Sequence, residues 1–158
     1  MAKSTKTPRG LRNNNPLNIR RSHHKWLGKI TDPSSCQTVC PSGRLDPDFE
    51  QFTDLKFGVR AALVLLKTYT SRHHLNTVQA IISRWAPASE NNTEAYVAFV
   101  CRWGQLTRHQ KITFAQRSAI CRLVLAMAAY ECGTYPFSLD YACRVYDTYF
   151  TPPKLPLP

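Results

Sequence analysis

The chain has 158 residues, 43% of them hydrophobic, which is enough for one domain with a buried core and short for two. Its formal net charge of +11 favours a polyanionic partner, namely nucleic acid, an anionic membrane surface or the bacterial cell wall. No apolar run is long enough to cross a membrane, and the basic N-terminus lacks the apolar segment of a signal peptide. We therefore expect a protein made in the cytoplasm, without a membrane span.

The composition divides the chain into three parts. Residues 1–9 are predicted to be a disordered basic lead, residues 10–150 a single domain, and residues 151–158 a proline-rich tail. Within the domain, residues 10–54 contain several turn signals and no helical period, so they predict loops with short extended pieces. The segment FEQF alternates in the manner of a strand.

Helices are predicted from Phe57 onwards. The first is FGVRAALVLLKTYTSRHH, because its apolar residues recur at helical spacing. Asn76 and Gln79 are predicted to form a capping box that opens the second helix, TVQAIISRW, and this helix stops at Pro87. Asn92 or Thr93 is expected to cap the third helix, EAYVAFVCRW.

The fourth predicted helix, FAQRSAICRLVLAMAAYEC, is the longest and is largely apolar all round. Thr113 and Gln116 are expected to open it as a capping box, and Gly133 to end it. Such a helix is predicted to lie at the centre of the fold. Ser138 is expected to cap a last helix, LDYACRVYDTYF. The predicted fold class is therefore mainly α, a compact domain of about five helices behind an irregular N-terminal region.

The sequence gives little indication of a metal or a cofactor. The six cysteines lack the close paired spacing of a zinc site, and no glycine-rich phosphate loop is present, so we expect neither. Cys36 and Cys40 lie in a loop and could form a bridge under oxidising conditions. Cys101 and Cys121 fall on apolar helical faces, which favours packed thiols.

Two of the ten acidic residues are candidates for catalysis. Glu131 ends the most apolar helix, where apolar neighbours and the negative end of the helix dipole both raise the pKa of a carboxyl group. A general acid needs such a pKa, although a glutamate at a helix end can also simply reach water. Glu90 lies in the loop SENNT and could be a solvated carboxylate or a turn residue. One shielded and one solvated carboxyl group are typical of a glycoside hydrolase.

The aromatic residues suggest contacts with sugar rings, whose flat faces stack on aromatic side chains. Trp26, in a loop beside basic residues, is the best candidate for such a contact. Trp85 and Trp103 are expected to pack in the core instead. Asn91 and Tyr135 are also assigned to substrate binding.

The segments GLRNNNPLNIR, WLG, FEQF, FGVRAA and IISRWAPASENNTEAYV resemble a family of small phage and bacterial proteins. Members of this family are often described as phage structural or virion proteins, and many occur in Bacteroides-type bacteria. The resemblance covers roughly residues 9–137. It implies a phage-type protein but no particular mechanism.

A second resemblance is to lysozyme-like murein hydrolases of the glucosaminidase and lytic transglycosylase kinds. In these enzymes a buried helix ends in Glu-Ser-Gly, and an Asn-rich segment, a W-x-G and an F-x-x-Y/F segment follow. Here NNPLNI, WLG and FEQF occur in that order, but YECG comes last, as in a circular permutation. The resemblance implies a lysozyme-like fold and a general-acid role for Glu131, with Glu90 activating water or steadying the oxocarbenium-like state.

The same resemblance implies a place for the opening asparagines. Asn13, Asn14, Asn15 and Asn18 would form the floor of a glycan cleft, unless they serve only as turn and cap residues. The expected partners are peptidoglycan glycan strands, with a phage tail, a secretion-system component or an immunity protein as further possibilities. The protein would then act in the periplasm or at the wall after delivery, in cell-wall lysis or as an antibacterial effector.

Two other functions compete with a murein hydrolase. The first is a non-catalytic phage virion or secretion-apparatus component that binds wall glycan or protein. The second is a nucleic-acid binder, which the charge allows, but the basic residues are spread along the chain and no known nucleic-acid-binding motif is present. We therefore expect no specific nucleic-acid partner.

Overall fold

The computed structural model describes residues 6–153. Residues 1–5 of the predicted lead and 154–158 of the predicted tail lie outside the described residues. Arg9, the last residue of the predicted lead, is the first residue of a short helix. The helices are α1 (Arg9–Arg12), α2 (Leu55–Ser71), α3 (Val78–Trp85), α4 (Thr93–Gly104), α5 (Arg117–Cys132) and α6 (Leu139–Phe150), with one 3₁₀ turn at Pro33–Ser35.

The mainly α fold class is confirmed, and the five long helices are those that the apolar periodicity predicts. Helix α5 is the centre of the core, because most of its residues are buried and it packs against α1, α2, α4 and α6. Gly133 ends this helix in the left-handed conformation with φ of 68°. No helix among the described residues is long and apolar enough to cross a membrane.

The sequence predicts which helices form better than it predicts the residue at which each helix begins. Thr77, not Asn76, caps α3, and its hydroxyl accepts a hydrogen bond from the Ala80 amide. Helix α5 begins three residues after the FAQ segment opens, with Gln116 as its N-cap. Asn92 and Ser138 cap α4 and α6 as expected, because each side chain accepts a hydrogen bond from the first turn.

The N-terminal region is irregular, as predicted. Among residues 6–153, its paired backbone amounts to isolated antiparallel bridges, which join Arg20 to Phe49 and Lys29 to Phe52. The FEQF segment therefore lies extended beside the chain that follows the asparagines. Backbone hydrogen bonds from Glu50 to Ile19 and from Phe52 to Asn13 hold the two pieces together.

The structure also tests what was predicted for the cysteines and for Trp103. All six cysteines lie within the described part of the chain and are free thiols, Cys36 and Cys40 among them. Cys121 is fully buried, whereas Cys101 is half-buried. Trp103 was expected in the core, but it is 51% exposed, because it occupies the outer side of the last turn of α4.

Gly58 in α2 allows the helix to lie directly against the Asn-rich segment. A Cβ atom at this position would overlap the backbone carbonyl oxygen of Asn14. Alanine normally stabilises a helix interior by about 1 kcal/mol relative to glycine. We expect the opposite for Gly58→Ala, a fall in the free energy of unfolding of about 1–3 kcal/mol, because the helix and the loop must separate.

Urea unfolding of the purified variant checks this expectation. Gly104→Ala, in the last turn of α4, is the matched control, since its Cβ would lie 3.2 Å from the end of the Leu106 side chain and at ordinary contact distance, 3.4 Å, from Ala126 and the Arg122 carbonyl. The control is expected to be as stable as the wild type within about 0.5 kcal/mol. Equal stability of the Gly58 variant and the wild type would contradict the close approach of helix and loop.

Candidate functional site

One groove brings together several of the predicted site residues. It holds about 310 Å³ and lies where the Asn-rich segment, the loop between α3 and α4, and the end of α5 meet. Its residues are Leu17, Asn18, Ile19, Arg20, Phe49, Leu65, Tyr69, Trp85, Ala86, Glu90, Asn91 and Glu131.

Glu131 is held in place by two hydrogen bonds from distant parts of the chain. It is the penultimate residue of α5, and its side chain is half-buried. The hydroxyl of Tyr96 donates to Oε1 at 2.9 Å, and the amide of Asn18 donates to Oε2 at 3.2 Å. The carboxyl group is therefore fixed at the inner end of the groove.

Burial raises the pKa of Glu131 above the usual value of a glutamate. Hydrogen bonds from Asn18, Tyr96 and, to a smaller extent, Trp85 act in the opposite direction, because they stabilise the carboxylate. The increase in pKa comes from loss of hydration, which the three donors only partly replace. Glu131 therefore holds its proton more strongly than an exposed glutamate, and its carboxylate is still stabilised by hydrogen bonds once the proton has left.

Asn18 reaches Glu131 because its backbone is in the left-handed conformation, with φ of 51°. Asparagine tolerates this conformation better than most residues. The turn is closed by a hydrogen bond from the Asn18 amide to the Asn15 carbonyl, and the Cys132 thiol donates to the carbonyl of Pro16 at 3.3 Å. The side-chain oxygen of Asn18 is buried and has no hydrogen-bond partner among the described residues.

Tyr96 supports the carboxyl group from inside the core. It lies on α4, is almost fully buried, and its ring stacks on Tyr130 with the centroids 4.0 Å apart. Burial and the nearby Glu131 carboxyl group raise the pKa of Tyr96 well above that of a free tyrosine. The phenol therefore keeps its proton and remains a donor to Glu131.

Glu90 occupies the open rim of the same groove. It lies in the loop between α3 and α4, and a side-chain oxygen is 3.7 Å from the guanidinium of Arg20 on the opposite rim. Both side chains are largely exposed. The groove thus contains one shielded and one solvated carboxyl group, as the sequence predicts for Glu131 and Glu90. Asn91 lies beside Glu90 in the groove lining.

Three of the predicted asparagines do not line the groove. Asn15 is fully buried, where its amide nitrogen donates to the carbonyls of Ile19 and Glu50 and its oxygen accepts from the Ile19 amide. Asn14 donates to the carbonyl of Phe52. Their hydrogen bonds join the Asn-rich segment to the FEQF segment, so the prediction that they form the floor of a glycan cleft is wrong.

Asn13 also forms hydrogen bonds within the N-terminal region and does not line the groove. It donates to a carboxylate oxygen of Asp46 at 3.0 Å and accepts from the Gln51 amide at 3.0 Å. Asp46 in turn forms a salt bridge with Arg9, and hydrogen bonds from Arg9, Asn13 and the nearby backbone amides outweigh burial and lower the pKa of its carboxyl group.

Trp26 and Tyr135 lie in two other hollows. Trp26 lines a basic hollow next to α2, which shares Leu65 with the groove. Tyr135 is 51% exposed and lies with Phe99, Trp103 and Tyr130 in an aromatic hollow. Neither residue lines the groove of Glu131.

Sequence reasoning missed five groove or support residues. These are Arg20, Phe49, Tyr69, Trp85 and Tyr96. A tyrosine on an apolar helix face needs a partner for its hydroxyl group, and this signal could have linked Tyr96 to the only candidate carboxyl group in an apolar helix. The other four give no comparable signal, because their position depends on how the loops fold back. No group of three or more His, Cys, Asp or Glu side chains in residues 6–153 could hold a metal ion.

The raised pKa of Glu131 predicts how stability depends on pH. The unfolded chain ionises Glu131 near a pKa of about 4.3, whereas the folded chain does so at a higher pH. Its contribution to stability is therefore full below the unfolded pKa and is lost as the pH rises through the folded pKa. Glu131→Gln, which stays neutral, is expected to gain stability relative to wild type as the pH rises.

Thermal unfolding at pH 4 and pH 8 checks this expectation. Glu94→Gln is a control of opposite sign, because the hydrogen bond from Arg108 lowers the pKa of Glu94. Wild type should gain stability over this control as the pH rises. If both variants follow wild type equally at the two pH values, Glu131 is not desolvated as described.

Comparison with known proteins identifies a phage relative. No family model matches the chain. Protein P5 of Pseudoalteromonas phage PM2 is 36% identical over 135 residues, which are 84% of this chain and 76% of the relative. An identity of this level over most of both chains establishes common descent, in agreement with the resemblance to phage proteins. The chain belongs to the family of phage proteins that includes Protein P5 of phage PM2.

Proposed function

We propose that the protein is a peptidoglycan-degrading glycosidase in which Glu131 is the general acid. The observation that carries the proposal is the groove itself, which is lined by a half-buried carboxyl group with a raised pKa, Glu131, and by a solvated one, Glu90. Many enzymes that cleave a glycosidic bond use such a pair, in which one carboxyl group protonates the leaving oxygen while the other acts on the opposite side of the sugar.

The hydrogen bonds at Glu131 suit a proton donor. Burial raises the pKa of Glu131, so before the reaction its carboxyl group holds a proton more readily than that of an exposed glutamate. After the proton has moved to the glycosidic oxygen, the carboxylate is stabilised by the donors from Tyr96 and Asn18. Because both donors are already in place, no reorganisation is needed when the charge develops.

Glu90 has two possible roles in this mechanism. As a solvated carboxylate on the rim it activates a water molecule or stabilises the oxocarbenium-like transition state. The guanidinium of Arg20, 3.7 Å away, forms an exposed ion pair with it. A lytic transglycosylase needs only the single acid Glu131, and in that case Glu90 contributes by its charge alone.

The remaining lining fits an acetamido sugar. Trp85, Tyr69 and Phe49 supply aromatic surface on which a sugar ring stacks. The side-chain amide of Asn91 in the groove lining can form hydrogen bonds with an acetamido or a hydroxyl group. The net charge of +11 steers the protein towards an anionic wall.

The experiment is digestion of purified peptidoglycan, with the released fragments analysed by mass spectrometry. We expect wild type to release muropeptides and Glu131→Gln to release them about 10²–10⁴-fold more slowly. Fragments with anhydro-muramic acid ends identify a lytic transglycosylase, and fragments with reducing ends identify a hydrolase. Absence of release by a folded wild-type protein would overturn the proposal.

The phage relative favours a second candidate function, that of a non-catalytic phage component that binds wall glycan or protein. The same assay separates it from the first. A binding component would sediment with insoluble peptidoglycan without releasing fragments, and Glu131→Gln would bind as well as wild type.

A further inference from the structure

Next to the groove lies a second cavity, the basic hollow, of about 560 Å³ between the loop at Trp26 and helix α2. Its wall carries the cationic side chains of Lys25, Arg60, Lys67 and Arg72, and His24 adds a fifth basic group. No acidic residue lines it, and none of these four cations forms a salt bridge among the described residues. Lys67 lies over the rings of Phe114 and Phe150, and Arg60 over that of Tyr149, outside the hollow. Lys25 and Arg72 are therefore the cations left for a ligand, and unpaired cations at one cavity attract an anion.

Helical spacing explains why the charges converge. Arg60, Lys67 and Ser71 occur at intervals of seven and four residues on α2, so they project from one face of the helix. This face stays outside the core and meets the loop that carries Lys25. The ring of Trp26 forms an apolar side of the hollow, and its indole N–H has no partner within the described structure.

The basic hollow adjoins the groove, because Leu65 on α2 lines both. A branch of a ligand in the groove would have to pass Leu65 to reach the hollow. In peptidoglycan, the group next to the glycan strand is the peptide stem, which is attached to the lactyl group of muramic acid and carries free carboxylates. Small aliphatic stem residues also suit the apolar sides that Trp26 and Val64 provide.

We propose that the basic hollow binds the carboxylates of the peptide stem, so that the protein recognises stem-bearing glycan rather than bare glycan. This inference deepens the proposed function and rests on it for the position of the glycan. The carboxylates contact Lys25 and Arg72 at the open side, where both side chains are exposed. Arg60 lies deeper, with its guanidinium 5.3 Å from the ring centre of Tyr149.

The first test is direct binding of the free stem peptide, released from peptidoglycan by an amidase and titrated at low salt. The double variant Lys25→Glu/Arg72→Glu is expected to bind it at least about tenfold more weakly than wild type, with two attractive contacts replaced by repulsive ones. Arg102→Glu/Lys111→Glu is the matched control, because it makes the same change in net charge at exposed residues outside the hollow.

The second test compares cleavage of stem-bearing strands with cleavage of strands stripped by the amidase. Wild type is expected to prefer stem-bearing strands, and the Lys25→Glu/Arg72→Glu variant to lose that preference while the control keeps it. If no strand is cleaved but the stem peptide still binds, the proposed function fails and the basic hollow stands. Absence of stem binding, equal binding by both double variants, or tighter binding of inorganic phosphate or duplex DNA would each overturn the inference.

Discussion

Replacing Glu131 with glutamine is expected to slow the cleavage of peptidoglycan by about 10²–10⁴-fold, the usual contribution of a positioned general acid. Glutamine has nearly the same shape and can still accept the hydrogen bond from Tyr96, so the groove should keep its form. It has no proton of comparable acidity to give to the leaving oxygen. The rate of release of soluble fragments under saturating substrate measures the effect.

Glu94→Gln is the matched control for this loss. It makes the same chemical change at an exposed residue of α4 whose partner is Arg108, outside the groove. The control should cleave at the wild-type rate. An active Glu131→Gln variant would remove Glu131 from the catalytic role, whereas loss of activity in both variants would indicate a general effect on the protein.

Replacing Lys29 with methionine is expected to lower the free energy of unfolding by about 3–5 kcal/mol, because it leaves the charge of Glu50 buried without its partner. The side chain of Glu50 is 2% exposed and that of Lys29 is 13% exposed, with 2.9 Å between the ammonium and the carboxylate. The ammonium also donates to the carbonyl of Ser22 at 2.7 Å. The loss arises from desolvation of an unpaired carboxylate, more than from the attraction itself.

Two further variants test whether desolvation of the Glu50 carboxylate causes this loss of stability. In the double variant Lys29→Met/Glu50→Gln no charge is left buried, so it should be more stable than Lys29→Met alone. Arg144→Met breaks an exposed i,i+4 pair with Asp140 and should cost less than about 1 kcal/mol. Urea unfolding measures all three, and a loss for Lys29→Met no larger than that for Arg144→Met would contradict the burial of the pair.

The salt bridge between Lys29 and Glu50 lies next to residues that line the groove. Phe49, which lines the groove, directly precedes Glu50, and the bridge between Arg20 and Phe49 lies beside it. A variant that loosens Lys29 and Glu50 therefore should also disturb the rim that carries Arg20. Activity at a temperature well below unfolding would report this local effect.

The helices could be predicted because they depend on local patterns. Apolar residues at helical spacing identified α2 to α6, and Gly133 and Ser138 marked helix ends by their own backbone and side-chain preferences. Helix α5 was recognised as central because it is apolar on nearly all sides. The same reasoning placed Glu131 at the end of the buried helix, where its pKa is raised.

The start of α3 shows where local reasoning failed. Asn76 and Thr77 are both good caps, and Gln79 completes a capping box in the sequence. In the fold, the Asn76 carbonyl accepts a hydrogen bond from Ile112, and Gln79 donates its backbone amide to the Arg108 carbonyl. These long-range bonds assign the cap to Thr77, which no local pattern can indicate.

The Asn-rich segment shows which features follow from the sequence alone and which depend on the tertiary structure. The sequence by itself determined the five long helices, the place of Glu131 at the end of the most apolar helix and a turn-rich segment at Asn13–Asn15, because these follow from neighbours along the chain. Only the tertiary structure decided that Asn18 donates a hydrogen bond to Glu131, 113 positions away in the sequence, whereas the side chain of Asn15 is fully buried. The reason is physical: a hydrogen bond of about 3 Å depends on how loops and helices pack together, and many packings are compatible with the same local preferences.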